Sequence, residues 1–285
     1  MGFGDEIMIT AFAKLEKQKF PDRQIVIGNF EKKIVKHSTV YENNPKITNP
    51  MKIDESKPLH YIDYHRLNRP YINTAYSNQH KMVWNYNFRP TPGEIYFSSN
   101  ETKKGKQIVE NAKAHWKENN INSYKGIVFL ESSSSKIKDK QFALKHKNKD
   151  WSFANWAQLT EKLYSNYLVI QSIHSESKRI QNIYYCDYDF RIACSVMNNS
   201  DIYVGPEGGF SHAAAALRKK AVIYFGGWID PKVTGYDFHQ NVYVNIDGSP
   251  CGSMSYLCDH CEICRKKISV DLVFDLIMKE LNKKI

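Results

Sequence analysis

No apolar run in this 285-residue chain approaches the roughly 20 residues that cross a bilayer, which argues against a membrane-spanning helix. The N-terminus "MGFGDEIMITAF" carries Asp5 and Glu6 where a secretion signal would carry Lys or Arg, so a cytoplasmic location is expected. Without a secretion signal, six cysteines in a long chain do not imply a disulfide framework. There is no internal repeat and no low-complexity tract longer than "SSSS".

What is present suits a globular enzyme. With 42% hydrophobic residues the chain can bury a full core and is long enough for two domains of ordinary size. The formal charge of +10 points to anionic partners: nucleotide diphosphates, nucleic acid or a membrane face. Its lysines and arginines are dispersed among acids, as in "KHKNKD" and "LRKK", and the first reading of such runs is a solvated face.

Strands alternate with helices along the chain. Glu6 to Lys19 is an amphipathic helix with Ile7, Ala11, Ala13 and Leu15 inward, followed by the strand "RQIVIGNF". Residues 42–92, rich in Asn, Pro and Tyr, read as loops and short elements around a strand at "LHYIDYH". "GEIYFSS" reads as a strand end, and "ETKKGKQIVENAKAHWKEN" as a helix with Ile108, Ala112 and Trp116 on one face. Near Asn122 a second half begins. It holds the strand "GIVFLE", a helix capped by Ser152 with Trp156, Leu159 and Leu163 buried, and the strands "YLVIQSI", "IQNIYYC", "DIYVG" and "AVIYFG" with helices between them. The tail closes as a helix with Val270, Val273, Leu276 and Ile277 inward. Two α/β domains, 1–121 and 122–285, facing a cleft are the architecture this alternation predicts.

The densest stretch is "YVGPEGGFSHAAAALRKKAVIYFGG", Tyr203 to Gly227. A strand runs through Gly208 and Gly209 into an Ala-rich helix, whose unpaired amides face the strand's carboxyl edge and suit an anion such as phosphate. A tight turn with no ligand is the alternative that glycine pairs also build.

Three blocks, "GFGDEIMITAFAKLEKQKFPD", "KDWSFANWAQLTEKL" and "VGPEGGFSHAAAAL…VIYFGG", resemble in order and spacing those of glycosyltransferase family 9, the ADP-heptose:lipopolysaccharide heptosyltransferase-like proteins. The resemblance implies a GT-B fold of two Rossmann-like domains, the first binding an acceptor and the second a nucleotide-diphosphate sugar. It implies transfer of a heptose-like sugar to a glycan or glycolipid acceptor at the cytoplasmic membrane face, with no cofactor. By the same resemblance, Asp5 is the catalytic carboxylate. Lys149 sits near the donor phosphates, with Ser132, Ser133, Glu207, Gly208, Gly209 and His212 completing the donor site. These roles fit the chemistry, because a carboxylate can deprotonate an acceptor hydroxyl while cations and aimed amides stabilise a departing diphosphate. Competing readings are Asp5 as a helix N-cap, Lys149 as surface charge, His212 packed beneath the sheet and Glu207 paired with a lysine. The family opens with a strand ahead of its glycine loop, whereas Met1 here sits almost on that loop. The first strand is therefore expected to be absent or to lie upstream.

Two rival functions remain in view. "GPEGGFS" also resembles the signature of SPOUT-type 16S rRNA uridine N3-methyltransferases, which bind S-adenosylmethionine, although the residues after the heptapeptide here do not match that family. A degenerate, non-catalytic transferase fold is the other. Finally, Cys251, Cys258, Cys261 and Cys264, with His260 among them, have spacing that suits a four-thiolate zinc site or an iron–sulfur cluster. Reduced structural cysteines without metal are the preferred reading of that tail.

Overall fold

The computed structural model describes residues 2–64, 69–120, 122–132, 147–175, 177–253 and 259–283. Ser133 and Cys258 lie outside the described residues. Helix α1 (Phe3–Lys19) comes first and precedes every strand. Its buried residues, among them Ile7, Met8, Ile9, Ala11 and Ala13, cover more than one face, because the helix is gripped on two sides. The last turns leave that grip, so Leu15, expected inward, is 45% exposed.

The smaller sheet contains β1 (Gln24–Asn29), β2 (Ile34–Lys36) and β3 (Leu59–Ile62) in the order β2-β1-β3. β1 runs parallel to β3 but antiparallel to β2, so this sheet is mixed where an all-parallel one was expected. The cause is local: a turn closed by the Lys33 amide on the Phe30 carbonyl sends the chain straight back as a hairpin. "GEIYFSS" forms no strand. The Glu94 amide bonds Thr10 Oγ1 of α1 at 2.7 Å, and Lys46 holds the Glu94 carboxylate and the Tyr96 hydroxyl, so the segment crosses the helix instead of joining a ladder.

Helix α2 (Ser99–Asn119) starts at a capping box in which Ser98 and Glu101 satisfy each other's backbone amides. It buries Ile108, Ala112 and Trp116, as its periodicity predicts. Its partner is α4 (Phe190–Asn198) of the larger sheet, and Arg191 of α4 pairs with Glu101 while donating to the Thr39 and Tyr96 carbonyls. α2 thus packs with the second half of the chain, although its sequence precedes Asn122.

The larger sheet has six strands: β4 (Ile127–Glu131), β5 (Leu168–Ser172), β6 (Tyr184–Cys186), β7 (Ile202–Pro206), β8 (Lys220–Gly226) and β9 (Gln240–Tyr243). All pairings are parallel, in the order β6-β5-β4-β7-β8-β9. Counted within the sheet this is 3-2-1-4-5-6, the Rossmann order, which places a topological switch point between β4 and β7. One face is covered by α2, α4 and α5 (Gly209–Ala216), whose core runs on through Phe210 and Ile7 into the smaller sheet. The other face packs Trp151, Trp156 and Leu159 with α3 (Phe153–Tyr164) and α8 (Val270–Asn282). In α8, Val273 and Ile277 are buried and Val270 and Leu276 partly so, as predicted. Two short helices, α6 (Pro231–Thr234) and α7 (Asp259–Lys267), complete the chain. Among the described residues no helix is long and apolar enough to cross a membrane.

Candidate active site

Parallel α/β sheets bind ligands beyond the carboxyl ends of their strands at the switch point. Here those ends are Glu131–Ser132 after β4 and Pro206–Glu207–Gly208 after β7, leading into α5. The two glycines divide the work of that turn. A β-carbon on Gly208 would meet nothing within 4 Å, so its backbone faces open space, while one on Gly209 would sit 3.3 Å from Cβ of Phe3 and 3.4 Å from the Phe190 ring. Gly208 is the open lip of the turn, and Gly209 is its packed side.

Glu207 is 6% exposed, and Lys149 Nζ donates to its Oε2 at 2.7 Å. His212 Nε2 lies 3.7 Å from Oε1 of the same carboxylate. Burial alone would raise its pKa, but Lys149 and His212 overcome that cost and hold the carboxyl down to about 2. The other nitrogen of His212, Nδ1, shares a 2.8 Å hydrogen bond with the Tyr236 hydroxyl, which fixes the ring plane. Lys149 Nζ also stands 4.2 Å above the Trp228 ring. His212 packs as a buried residue and Glu207 pairs with a lysine, so both bland readings describe real contacts. The same contacts gather Lys149, Glu207 and His212 at one strand end.

Asp5 is 8% exposed and does not cap α1, whose N-cap is Gly2 with no side-chain hydrogen bond. Its carboxylate accepts instead from the Tyr71 hydroxyl at Oδ1, 2.7 Å, and from Arg69 Nη2 at Oδ2, 2.7 Å. Each oxygen keeps a further lone pair for a third partner. The N-cap alternative is therefore corrected: this side chain is held in place by the segment after β3.

The starts of α1 and α5 bring the two groups together. Phe3 stacks on Phe190 at 4.2 Å, and a β-carbon on Gly4, next to Asp5, would lie 2.8 Å from Cδ2 of His212. Only a residue without a side chain lets the two helix ends approach this closely. Ser132 sits at the opposite lip, where its hydroxyl accepts from Gln171 Nε2 of β5 at 2.8 Å. Ser133 falls outside the described residues. Sequence reasoning missed Arg69, Trp228 and Tyr236 as site components and covered Tyr71 only within the tyrosine-rich region 42–92.

The C-terminal cysteines also converge. Cys251 and Cys261 have sulfurs 3.0 Å apart, and their ligand atoms and one of His260 lie within 4.8 Å of one another. Cys264 Sγ is 3.9 Å from the His260 ring. A tetrahedral zinc with bonds of about 2.3 Å would hold two thiolates about 3.8 Å apart, so a small opening of the Cys251–Cys261 pair would admit such an ion. Cys258, the remaining member of the predicted quartet, lies outside the described residues.

No family model matches the chain, and no curated protein matches it by sequence. Solved structures do. The iron-containing dodecameric glycosyltransferase TibC of enterotoxigenic E. coli H10407 superposes with a TM-score of 0.61 at 12% identity, covering 98% of this chain and 74% of that one. The glycosyl transferase family 9 structure from Veillonella parvula DSM 2008 superposes with a TM-score of 0.59 at 11% identity, covering 99% and 94%. The methyltransferase reading of "GPEGGFS" finds no support: that heptapeptide spans the β7–α5 turn of a Rossmann-ordered sheet, in a fold that superposes on glycosyltransferase structures. The chain therefore has the GT-B fold seen in the structures of glycosyltransferase family 9.

Proposed function

We propose that this chain is a glycosyltransferase that moves a sugar from a nucleotide-diphosphate donor to an acceptor hydroxyl, with a heptose-like sugar and a glycan or glycolipid acceptor as the finer reading. One observation carries it: a buried, positioned carboxylate on α1 meets a lysine, glutamate and histidine cluster at the Rossmann switch point, through a contact that Gly4 permits. In this reading Asp5 accepts the proton of the acceptor hydroxyl through a remaining lone pair as the oxygen attacks the sugar's anomeric carbon. Arg69 and Tyr71 hold the carboxylate in place. The bond to the diphosphate breaks, and Lys149, His212 and the amides opening α5 face the charge that develops on the leaving group. Lys149 answers the donor charge without leaving its Trp228 platform, while Glu207 keeps the lysine and histidine oriented.

A thermal-shift panel tests the class, with nucleoside diphosphates expected to stabilise the protein and S-adenosylmethionine to leave it unchanged. Stabilisation by S-adenosylmethionine alone would reverse the assignment. Lys149→Ala should weaken a nucleoside diphosphate far more than the matching nucleoside, because only the diphosphate carries the charge that this lysine meets. Asp5→Asn keeps the shape and loses the base, so donor binding should persist while transfer falls by about 10² to 10⁴. A non-catalytic fold would bind the donor and show no transfer in either form.

For the cysteine tail, the convergence of Cys251, His260 and Cys261, with Cys264 beside the histidine ring, supports a structural metal in preference to metal-free thiols, and the iron-containing neighbour lends that reading weight. Such a metal would fasten Cys251 to α7 and take no part in the transfer. Elemental analysis of purified protein should find about one zinc or iron per chain. A metal-free protein of full stability would restore the reading of reduced structural cysteines.

A further inference from the structure

Between the segment that carries Cys251 and the strand-end lysine stands Trp228, which touches both. Its indole N–H donates to the Ser253 carbonyl at 2.7 Å, and its ring lies under Lys149 Nζ at 4.2 Å. The Trp84 ring meets it edge-on at 4.9 Å and 74°. The segment that holds Trp228 is the one that carries Cys251, whose sulfur lies 3.0 Å from that of Cys261. Cys251 N donates to the Gly227 carbonyl at 2.9 Å, and Gly252 N to the Trp228 carbonyl at 3.1 Å. A β-carbon on Gly227 would stand 2.3 Å from Cys264 Sγ, so the strand end rests directly on the thiol. On the lysine's own side, Asn148 Nδ2 donates to the Ser253 carbonyl at 3.1 Å. Lys149 thus shares one platform, residues 251–253, with the ring beneath it.

We propose that Trp228 is a positioning residue for Lys149, and that through it the order of the Cys251–Cys261 thiol pair sets how strongly the site holds a diphosphate. This rests on the donor-site reading above and adds a residue and a dependence to it. A lysine ammonium over an indole face is fixed laterally, and at a partly desolvated site that contact is worth a few-fold to about 30-fold in binding. Moving residues 251–253 removes the acceptor of the indole N–H and lets the ring turn. Lys149 would then keep its partner Glu207 and lose its direction.

Isothermal titration of the full chain with ADP and, in parallel, adenosine tests this in the parent, Lys149→Ala, Trp228→Leu, Trp228→Phe, Cys261→Ser and the double variant Trp228→Leu/Lys149→Ala. Trp228→Leu and Cys261→Ser should each weaken ADP about three- to tenfold and leave adenosine within twofold. In the Lys149→Ala background the leucine should cause no further loss, because the group it positions is gone. Trp228→Phe keeps a ring beneath the lysine and drops the bond to Ser253, so its ADP affinity should fall less than that of the leucine variant. It also serves where the leucine variant does not fold. Equal losses for ADP and adenosine, or an undiminished leucine effect without Lys149, would reduce Trp228 to general packing and overturn the proposal. A Cys261→Ser variant that binds ADP as the parent does would cut the link to the thiols. If the parent binds none of ADP, UDP, GDP and CDP, the donor site itself falls. If the parent binds ADP and Lys149→Ala selectively weakens it while Trp228→Leu does not, only the present proposal falls.

Discussion

Replacing Gly4 with alanine perturbs the contact between the two helix ends on which the whole site depends. The new β-carbon would lie 2.8 Å from Cδ2 and 3.5 Å from Nε2 of His212, and 3.6 Å from the Gly208 carbonyl carbon. His212 cannot swing clear, because it is 2% exposed and its Nδ1 is tied to the Tyr236 hydroxyl at 2.8 Å. Two effects of similar size oppose each other. Alanine in a helix gains up to about 1 kcal/mol over glycine, less in a first turn, while overpacking a tight contact costs about 1–3 kcal/mol. The net loss of stability is therefore about 0–3 kcal/mol, less than the stability of an ordinary domain. The histidine nevertheless has to shift by several tenths of an ångström, which strains its bond to Tyr236 and its approach to Glu207. Donor affinity should fall roughly tenfold or more, since a hydrogen bond involving a charged partner is worth about 1.5–3 kcal/mol. Urea unfolding gives the first quantity and titration with ADP the second. Gly2→Ala is the control, because its β-carbon would meet nothing within 4 Å and both quantities should stay near the parent. A Gly4→Ala protein that gains about 1 kcal/mol and binds ADP unchanged would refute the close approach of α1 to α5.

Arg191, 5% exposed, spends its guanidinium on Glu101 and on the Thr39 and Tyr96 carbonyls, so Arg191→Ala takes the cation from a half-buried carboxylate and should cost about 1.5–3 kcal/mol in urea unfolding. A loss under 1 kcal/mol would show the pair to be solvated. Glu207, held down to about 2, contributes stability that is complete above the ordinary value of 4.5 and is lost as pH falls towards 2. Roughly 3 kcal/mol should disappear over that window, and Glu207→Gln should flatten this part of the profile. Burial lowers the His239 pKa from 6.5 to about 4, so its neutral ring costs stability progressively as pH drops from 6.5 to 4. His239→Leu should remove that slope, and an unchanged slope would place the ring in contact with water.

The larger sheet was legible because its strands are buried on both faces. "IVFL" and "VIYF" read as unbroken apolar runs, and the helices between them keep a single buried stripe, as Trp156, Leu159 and Leu163 do. The Asn-rich region after β2 gave little signal for a physical reason. Its turns are closed by side chains: Asn44 Oδ1 accepts from the Lys46 amide, Asn49 from Met51, Asn78 from His80 and Lys81, and Asn85 from Asn87. Asx turns of this kind need no hydrophobic period, so a pattern search passes over them. The packing of α2 was equally hidden, since its stripe of Ile108, Ala112 and Trp116 says that a face is buried and not against which sheet.

The site divides along the same line. Asp5 and the turn at Gly208 and Gly209 stand in short local motifs, so a reading of the sequence could single them out as candidates. Arg69 and Tyr71 reach Asp5 across more than sixty residues from a region without periodicity, and no local pattern could announce them. The sequence did group Lys149, Glu207 and His212, but it gave all three the same task of meeting the donor. Their geometry separates those tasks. A carboxylate 2.7 Å from the lysine that is to receive a diphosphate repels that diphosphate at contact, so Glu207 serves better as the group that holds Lys149 and His212 in line. Charge for the leaving group must then come from Lys149, His212 and the open amides at Gly208, each fixed by a neighbour of its own. The residues most exposed to failure by distant substitution are therefore the holders, Trp228 beneath the lysine, Tyr236 behind the histidine and Gly4 between the helices. Each of them can be changed without touching a substrate atom.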